Sequence, residues 1–209
     1  MTQTAISKAI VTIAQAEQRF GLSRTEDELF FPEWQTALPE LQEVERAELQ
    51  VMRRRYLYHR TDDHLLEGAV TLLLASPLLT IAGFYDPPFR MKAETSVQLS
   101  LNDGEEILQG RLDVLVVQNR LWVLVVESKK TAISALSGLP QALAYLTASP
   151  NDSAPSFGMV TNGDEILLVK MRSSQYALSR IFAPFISLGE LEQVTRILRG
   201  IGQGILQSR

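Results

Sequence analysis

Three charged side chains lie within or at the end of two strongly apolar segments of this chain. Asp113 falls within residues 111–117, and Glu127 and Lys129 are near the end of residues 121–130. Both segments are rich in valine and leucine, and turn-forming residues separate them, so we expect two neighbouring β-strands. A buried carboxylate is costly unless it is paired or holds a metal ion. An aspartate on one strand and Glu-x-Lys on the next therefore indicate a compact site for metal-dependent phosphodiester cleavage.

The length of the connecting turn decides whether these side chains share a face of the sheet. If residues 118–120 form a three-residue loop, Asp113 lies opposite Val125 and diagonal to Glu127. Opposite and diagonal neighbours share one face of an antiparallel pair, with diagonal backbones roughly 7–8 Å apart. The two-residue period of a strand places Lys129 on that face too, if the strand continues that far. A two-residue loop would break this arrangement, so the prediction depends on the turn.

The residue types at this site favour a hard divalent cation. Two carboxylates and a few waters suit Mg²⁺, which prefers near-octahedral oxygen ligands at about 2.0–2.1 Å, and Mn²⁺ is a possible substitute. Such an ion polarises a phosphate and activates water, and a lysine beside it orients the water and offsets negative charge. The alternative is an Asp and a Glu at strand ends, with Lys129 and Lys130 in solvent. Residue types alone leave both interpretations open.

Length and composition predict a globular protein without disulfides. The chain has 209 residues, 45% of them hydrophobic, and no cysteine, so neither a disulfide nor a thiolate zinc site can form. Only His59 and His64 could serve a histidine metal site. The N-terminus lacks the pattern of a signal peptide, and the apolar runs are too short to span a membrane. We therefore expect a cytoplasmic protein with no membrane partner.

The charge distribution argues against broad nonspecific binding of nucleic acid. The formal net charge is −4, whereas such binding usually needs a basic face. A local basic cluster of Arg53, Arg54, Arg55 and Arg60 could still contact nucleic acid. The alternative interpretation of this cluster is a solvated helix face.

The first sixty residues are predicted to form a helical extension that packs on a core domain of residues 61–209. Apolar residues recur at helical spacing from Ile6 to Ala14, and Gly21 suits a helix end. A second helix is expected from Pro39 to about Tyr58. A third is expected over residues 63–76, ending before Pro77, and it carries Glu67 near its start. Glu67 either points toward the carboxylate site or is an exposed first-turn residue.

The core domain is predicted to contain strands followed by helices. Residues 97–101 alternate, residues 102–104 suit a turn, and the two strands of the candidate site follow. A helix is expected over residues 134–147. Further strands are predicted near residues 157–161, 165–170 and 176–182, and a closing amphipathic helix over residues 188–206.

The order of these elements resembles the PD-(D/E)xK nuclease superfamily. Gln141-Ala-Leu-Ala-Tyr145 matches the Q-x-x-x-Y element of RecB-like members, and its two polar side chains share a helix face. The segment Gly158-Met-Val-Thr-Asn-Gly163, followed by an apolar strand, is similar to a hairpin in the N-terminal nuclease domain of type I restriction enzyme R subunits. The resemblance covers about residues 60–172. It implies a restriction-endonuclease-like α/β fold, in which helices flank a mixed sheet.

The resemblance also implies a role for each matching residue. Asp113 and Glu127 would bind Mg²⁺, helped by the backbone carbonyl of Ser128, and Lys129 would position the nucleophilic water. Glu67 would be the upstream acidic residue. A final pair, Gln141 and Tyr145, would contact DNA or support the site. For this pair the alternative is a helix whose tyrosine packs in the core.

The chain departs from the family parent in two respects. No G-x-x-x-x-G-K-[ST] phosphate-binding loop occurs, so DNA translocation is not expected. The residues before Asp113 also lack the customary proline. We predict a magnesium-dependent endodeoxyribonuclease that acts on DNA, as a homodimer or with a partner subunit that supplies specificity. The alternative is a catalytically silent nuclease-fold module that binds nucleic acid or a partner protein.

Overall fold

One mixed β-sheet organises the chain in the computed structural model. It describes residues 2–36, 38–101, 106–118, 121–150 and 154–207. The strands are β1 Thr2–Ala5, β2 Ser23–Arg24, β3 Phe89–Leu101, β4 Glu106–Gln118, β5 Leu121–Ser128, β6 Ser156–Thr161, β7 Ile166–Arg172 and β8 Gln175–Phe182. The predicted turn at residues 102–104 lies outside the described residues, as do Asn119 and Arg120.

The central strands of the sheet mix parallel and antiparallel neighbours. The order is β1-β4-β5-β6-β7-β8-β2, and β3 pairs with β4 off this path. Strands β5 and β6 run parallel, whereas β3–β4, β4–β5, β6–β7 and β7–β8 are antiparallel. A parallel pair needs a crossover connection, and the segment containing residues 129–155 provides it. Lys129 is the first residue of that crossover, directly after the end of β5.

Helices cover both faces of the sheet, so the molecule has three layers. The helices are α1 Ile6–Ala9, α2 Ile13–Phe20, α3 Glu43–Asp62, α4 Glu67–Val70, α5 Ser76–Ala82, α6 Leu139–Thr147 and α7 Leu188–Gln207. One core joins α3, α5 and α7 to Val114, Met159 and Leu168. The other joins α1, α2 and α6 to Leu115, Val160 and Val169. The predicted mixed sheet flanked by helices is confirmed.

The segment predicted as an N-terminal helical extension also supplies strands to the sheet. Strand β1 pairs parallel with residues 106–109 of β4, and β2 pairs parallel with residues 175–176 of β8. Residues 1–60 thus contain helices α1–α3 but also two edge strands. Backbone hydrogen bonds to strands distant in sequence integrate this segment into the core sheet. The division into two domains at residue 60 stays a prediction.

Two helix boundaries differ from the sequence-based prediction. The helix expected over residues 63–76 begins at Glu67 and continues past Pro77 to Ala82, through a π-helical turn Thr71–Ala75. Ser76 N–H donates to the Thr71 carbonyl, so the hydrogen-bond ladder has already shifted before proline, which has no N–H, enters it.

The helix expected from Pro39 begins instead at Glu43. Gln42 N–H donates to the Glu45 carboxylate at 2.6 Å and caps the first turn. The Pro39 carbonyl accepts from Arg196 and lies outside the helix. The described residues contain no helix long and apolar enough to cross a membrane.

Candidate nuclease site

A β-bulge places Asp113 and Glu127 on the same face of the sheet. Near the turn, Gln118 pairs with Leu121, which corresponds to a two-residue loop rather than the predicted three. The register shifts by one residue between Val116 and Val117, after which Leu115 pairs with Val125 and Val114 with Val126. Continued by one residue, this register sets Asp113 directly across from Glu127. The expected diagonal arrangement, with Val125 opposite Asp113, is therefore wrong, but the bulge restores the shared face.

The β3–β4 ladder is irregular at the same level. Glu94 lies on β3 between residues paired with Leu112 and Val114, and its φ of 51° is in the left-handed region. Leu112 packs in the core on the α6 side, whereas Val114 packs in the core on the opposite side. Side chains two residues apart on a strand normally share a face, so the regular alternation of side chains along β4 is interrupted at Asp113.

Glu127 is a buried carboxylate with one unsatisfied oxygen. Its side chain is 3% exposed, Lys129 Nζ lies 2.6 Å from Oε1, and Oε2 has no hydrogen-bond partner. Burial raises the pKa of Glu127 to about 8; the Lys129 ammonium opposes this, and the negative charges of Asp113 and Glu67 add to it. The four residues therefore interact electrostatically at one site. An unpartnered buried oxygen among acidic groups suits a cation.

Lys129 is held in place by the backbone and by helix α6. Its N–H donates to the Thr161 carbonyl at 2.7 Å. Its aliphatic stem lies across Gly138, where an added Cβ would be 3.2 Å from Lys129 Cε. Its ammonium also donates to Gln141 Oε1 at 3.0 Å. The glycine thus makes room for the lysine, and the glutamine fixes its charged end.

Tyr145 closes a break in the hydrogen bonding along strand β4. On this side of β4, β1 pairs with residues 106–109 and β5 with residues 114–118. Arg111 lies between these two ladders, and its N–H donates to Tyr145 Oη at 3.2 Å while its carbonyl accepts from Tyr145 Oη at 3.1 Å. Gln141 Nε2 donates to the same hydroxyl at 2.8 Å.

The tyrosine therefore supports the site from within the core. Tyr145 is 1% exposed and packs in the core, as the alternative interpretation predicted, while its hydroxyl bonds to the β4 backbone and to Gln141. Gly110 permits this packing, because an added Cβ there would lie 2.6 Å from Tyr145 Cε1. A continuous chain of hydrogen bonds runs from the β4 backbone through Tyr145 and Gln141 to Lys129.

Glu67 begins helix α4 at the edge of the site. Leu65 N–H donates to Thr131 Oγ1 at 2.9 Å, and Thr131 N–H donates to the Leu65 carbonyl at 3.1 Å. These bonds tie the start of the helix to the segment that follows Lys129. Glu67 is exposed, yet it acts on the pKa of Glu127. Glu67 is thus the exposed first-turn residue of one alternative, and its predicted role at the site stays a prediction.

The acidic residues do not form a preassembled metal cage. Among the described residues, no three His, Asp or Glu side chains group closely enough to hold an ion unaided. Waters and a phosphate oxygen would have to complete the coordination, as is usual for Mg²⁺.

The turn between β6 and β7 contributes residues that the sequence did not single out. Glu165 Oε2 accepts from Ala135 N–H at 2.9 Å and from Ser134 Oγ at 3.1 Å, at the start of the helical segment that leads into α6. Asn162 donates to the Ile133 carbonyl at 2.9 Å and accepts from Glu165 N–H at 2.7 Å. The turn therefore fixes the segment before α6, and with it Gln141. An acidic residue next to a tight turn gives no local signal of this role.

The basic cluster on α3 is partly used for contacts within the protein. Arg53 donates to the Phe185 carbonyl at 2.6 Å, and Arg60 forms an ion pair with Asp164 at 3.0 Å. Arg54 and Arg55 are exposed. Half of the cluster therefore stabilises the fold and half faces solvent.

Comparison with known proteins identifies the family. Residues 13–177 match the family model of the Type I restriction enzyme R protein N terminus. No curated protein matches. A similar solved structure is a fragment assigned to the HsdR subunit of a type I restriction enzyme from Vibrio vulnificus YJ016, with 21% sequence identity and a TM-score of 0.42. The match covers 63% of this chain and 26% of that chain.

The family match extends over more of the chain than the predicted resemblance did. It includes α2, the edge strand β2 and α3, in addition to every residue proposed for the site. The match agrees with the family that the resemblance in the sequence indicated. This chain belongs to the family of type I restriction enzyme R protein N-terminal domains.

Proposed function

We propose that this chain is a metal-dependent nuclease that hydrolyses phosphodiester bonds of DNA. The observation that carries the proposal is the Glu127 carboxylate. It is buried, bonded to Lys129 through one oxygen only, and subject to the negative charges of Asp113 and Glu67. A structural ion pair in a core normally satisfies both oxygens. Perturbed acidic groups with an unsatisfied atom are typical of functional sites.

The donor set fits Mg²⁺ or Mn²⁺. Asp113, Glu127 and the Ser128 carbonyl would hold the ion, and Glu67 would assist through water. All of these donors are oxygens, which hard divalent cations prefer. When bound, the ion supplies charge stabilisation at the phosphate and acidifies bound water.

The chain's own residues would orient the reaction. Lys129, fixed by Gln141, would hold the attacking water in line with the phosphorus. The water oxygen forms the new bond to phosphorus and releases a proton to solvent, as the opposite phosphorus–oxygen bond breaks and the departing oxygen takes up a proton from solvent. The ammonium would also offset charge that develops on the phosphate. A second copy or another subunit is proposed to supply sequence specificity.

The test is cleavage of DNA by purified protein with Mg²⁺ or Mn²⁺. We expect wild type to cut and Lys129→Ala to lose about 10²–10³-fold in rate, as when one stabilising donor is removed. Lys130→Ala is the matched control, because the neighbouring Lys130 is exposed. Equal cutting by wild type and Lys129→Ala would refute the proposed role of this lysine.

A second candidate function is a silent module that binds nucleic acid or a partner protein. The net charge of −4 and the lack of a ready metal cage among the described residues favour it. Thermal melting distinguishes the two. A site that holds a metal ion raises the melting temperature of wild type but not of Asp113→Asn when Mn²⁺ is added. Identical responses of both proteins would favour the silent module.

A further inference from the structure

Lys129 binds one oxygen of the Glu127 carboxylate, and a bound cation would lie on the other, unpartnered oxygen. Its ammonium is 2.6 Å from Glu127 Oε1, and the two side chains are 16% and 3% exposed. An ammonium and a divalent cation on one small buried carboxylate repel each other, and low local polarity strengthens that repulsion. While the ammonium stays on Glu127, it therefore weakens the binding of a metal ion to that carboxylate.

Gln141 offers the ammonium a second acceptor that does not depend on Glu127. Gln141 Oε1 lies 3.0 Å from Lys129 Nζ, and the other end of the amide donates to Tyr145 Oη at 2.8 Å. Tyr145 is in turn fixed by both backbone groups of Arg111. The amide oxygen is thus directed at Lys129 by groups that lie outside the carboxylate cluster.

We propose that Gln141 is a positioning residue that retains the Lys129 ammonium when Glu127 takes up a divalent cation. Lys129 then balances the charge of the buried carboxylate until the cation binds. It releases Glu127 at that point but stays in the site, bonded to Gln141. Packing against Gly138 limits its alternatives, because the stem lies along the helix that carries Gln141. This inference rests on the proposed function, in which Glu127 is a metal ligand.

The test is a double-mutant cycle on the affinity for Mn²⁺ alone, measured by calorimetry at one alkaline pH. Gln141→Leu removes the second acceptor, so Lys129 stays on Glu127, and we expect Mn²⁺ affinity to fall about tenfold, the lower end for residues that support metal ligands. In a Lys129→Met background there is no ammonium to retain. Adding Gln141→Leu there should leave the affinity unchanged.

The outcomes separate the inference from its premise. An equal loss from Gln141→Leu in both backgrounds would mean that Gln141 supports the site only through packing, and would overturn the inference alone. No Mn²⁺ binding by wild type would overturn the proposed metal site and the inference together. Gln141→Asn, which keeps the amide but shortens its reach, is the second variant if Gln141→Leu fails to fold. It should reproduce the loss only when Lys129 is present.

Discussion

Tyr56 and Tyr145 lie in the cores on opposite faces of the sheet, and each packs against a glycine beside a carboxylate cluster. The two clusters differ in how many carboxylate oxygens have hydrogen-bond partners. Tyr56 donates to Asp164 Oδ1 at 2.7 Å, and Arg60 binds both oxygens of Asp164. In the Glu127 cluster, which consists of Glu127, Lys129, Asp113 and Glu67, Glu127 has one hydrogen-bonded oxygen and one oxygen without a partner. An added Cβ would contact Tyr56 at Gly163 and Tyr145 at Gly110.

The difference separates a cluster that is satisfied within the protein from one that, in our proposal, a bound cation completes. The Asp164 cluster attaches the turn between β6 and β7 to α3, and its charges are neutralised within the protein. Burial and the Asp164 charge raise the pKa of Tyr56, so its hydroxyl stays a donor. In the Glu127 cluster one buried carboxylate oxygen has no hydrogen-bond partner and the negative charges of Asp113 and Glu67 act on it, which disfavours the charged form unless a cation binds.

The largest expected effect comes from Glu127→Gln in the absence of divalent cations. Because the pKa of Glu127 is raised to about 8, the folded protein holds this proton more tightly than the unfolded chain. Binding of this proton to Glu127 stabilises the folded protein in full below the unfolded pKa of roughly 4.3, and this stabilisation is lost as the pH rises through about 8. Between these two pH values the free energy of unfolding falls by about 1.4 kcal/mol per pH unit, which amounts to several kcal/mol in all. Glu127→Gln removes this trend and should be the more stable protein at about pH 9.

Denaturant unfolding at several pH values measures this effect. Asp164→Asn retains Glu127 and should therefore retain the falling trend. If wild type and Glu127→Gln showed the same pH dependence, Glu127 would not carry the raised pKa.

A smaller effect is expected from Tyr145→Phe. The variant leaves the N–H and carbonyl of Arg111, and the amide of Gln141, without their shared partner. Buried polar groups without partners cost about 1–3 kcal/mol each, and some relaxation is expected, so we predict a loss of about 2–3 kcal/mol in unfolding free energy. Metal-dependent DNA cleavage should also fall, because Lys129 loses its oriented acceptor.

Tyr176→Phe is the matched control for that loss. Tyr176 is buried and donates to Glu17 at 2.7 Å, away from the candidate site. Its removal should cost about 1 kcal/mol and leave cleavage intact. Equal losses of cleavage in the two variants would indicate a general effect on folding.

The smallest effect is expected from Arg60→Ala. The ion pair with Asp164 is partly exposed, with 28% and 37% of the two side chains accessible, so screening by solvent limits its loss to about 1 kcal/mol. The increase in melting temperature on addition of Mn²⁺ should be unchanged. If Arg60→Ala abolished that increase, the two clusters would be coupled and the distinction between them would fail.

The sequence predicted the fold better than it predicted the alignment of the strands, and the site residues stay a prediction. Valine-rich strands, the Glu-x-Lys pair and the helical spacing of Gln141 and Tyr145 were visible because each is a local pattern. Edge strands β1 and β2 were missed because two to four polar residues carry no strand signal, and only pairing with β4 and β8 forms them. Glu165 was missed because its partners precede it by about thirty residues.

The bulge was missed for a different physical reason. Register is strongly specified where one face of a strand is polar and the other apolar. Residues 121–126 are apolar at every position, so hydrophobicity does not determine which set faces α6. The polarity of Asp113 and Glu127 was the only indication that their two strands must be aligned.

The bulge between Val116 and Val117 has a consequence for the lengths that this hairpin can take in homologous proteins. Thirteen residues separate Asp113 from Glu127. A regular two-residue hairpin that pairs these two residues needs an even number between them, so one residue of β5 is left over and forms the bulge. Without that residue the ladder would pair regularly and Glu127 would still lie across from Asp113. Homologues one residue shorter in this hairpin should therefore retain the alignment of the two carboxylates and lack the bulge.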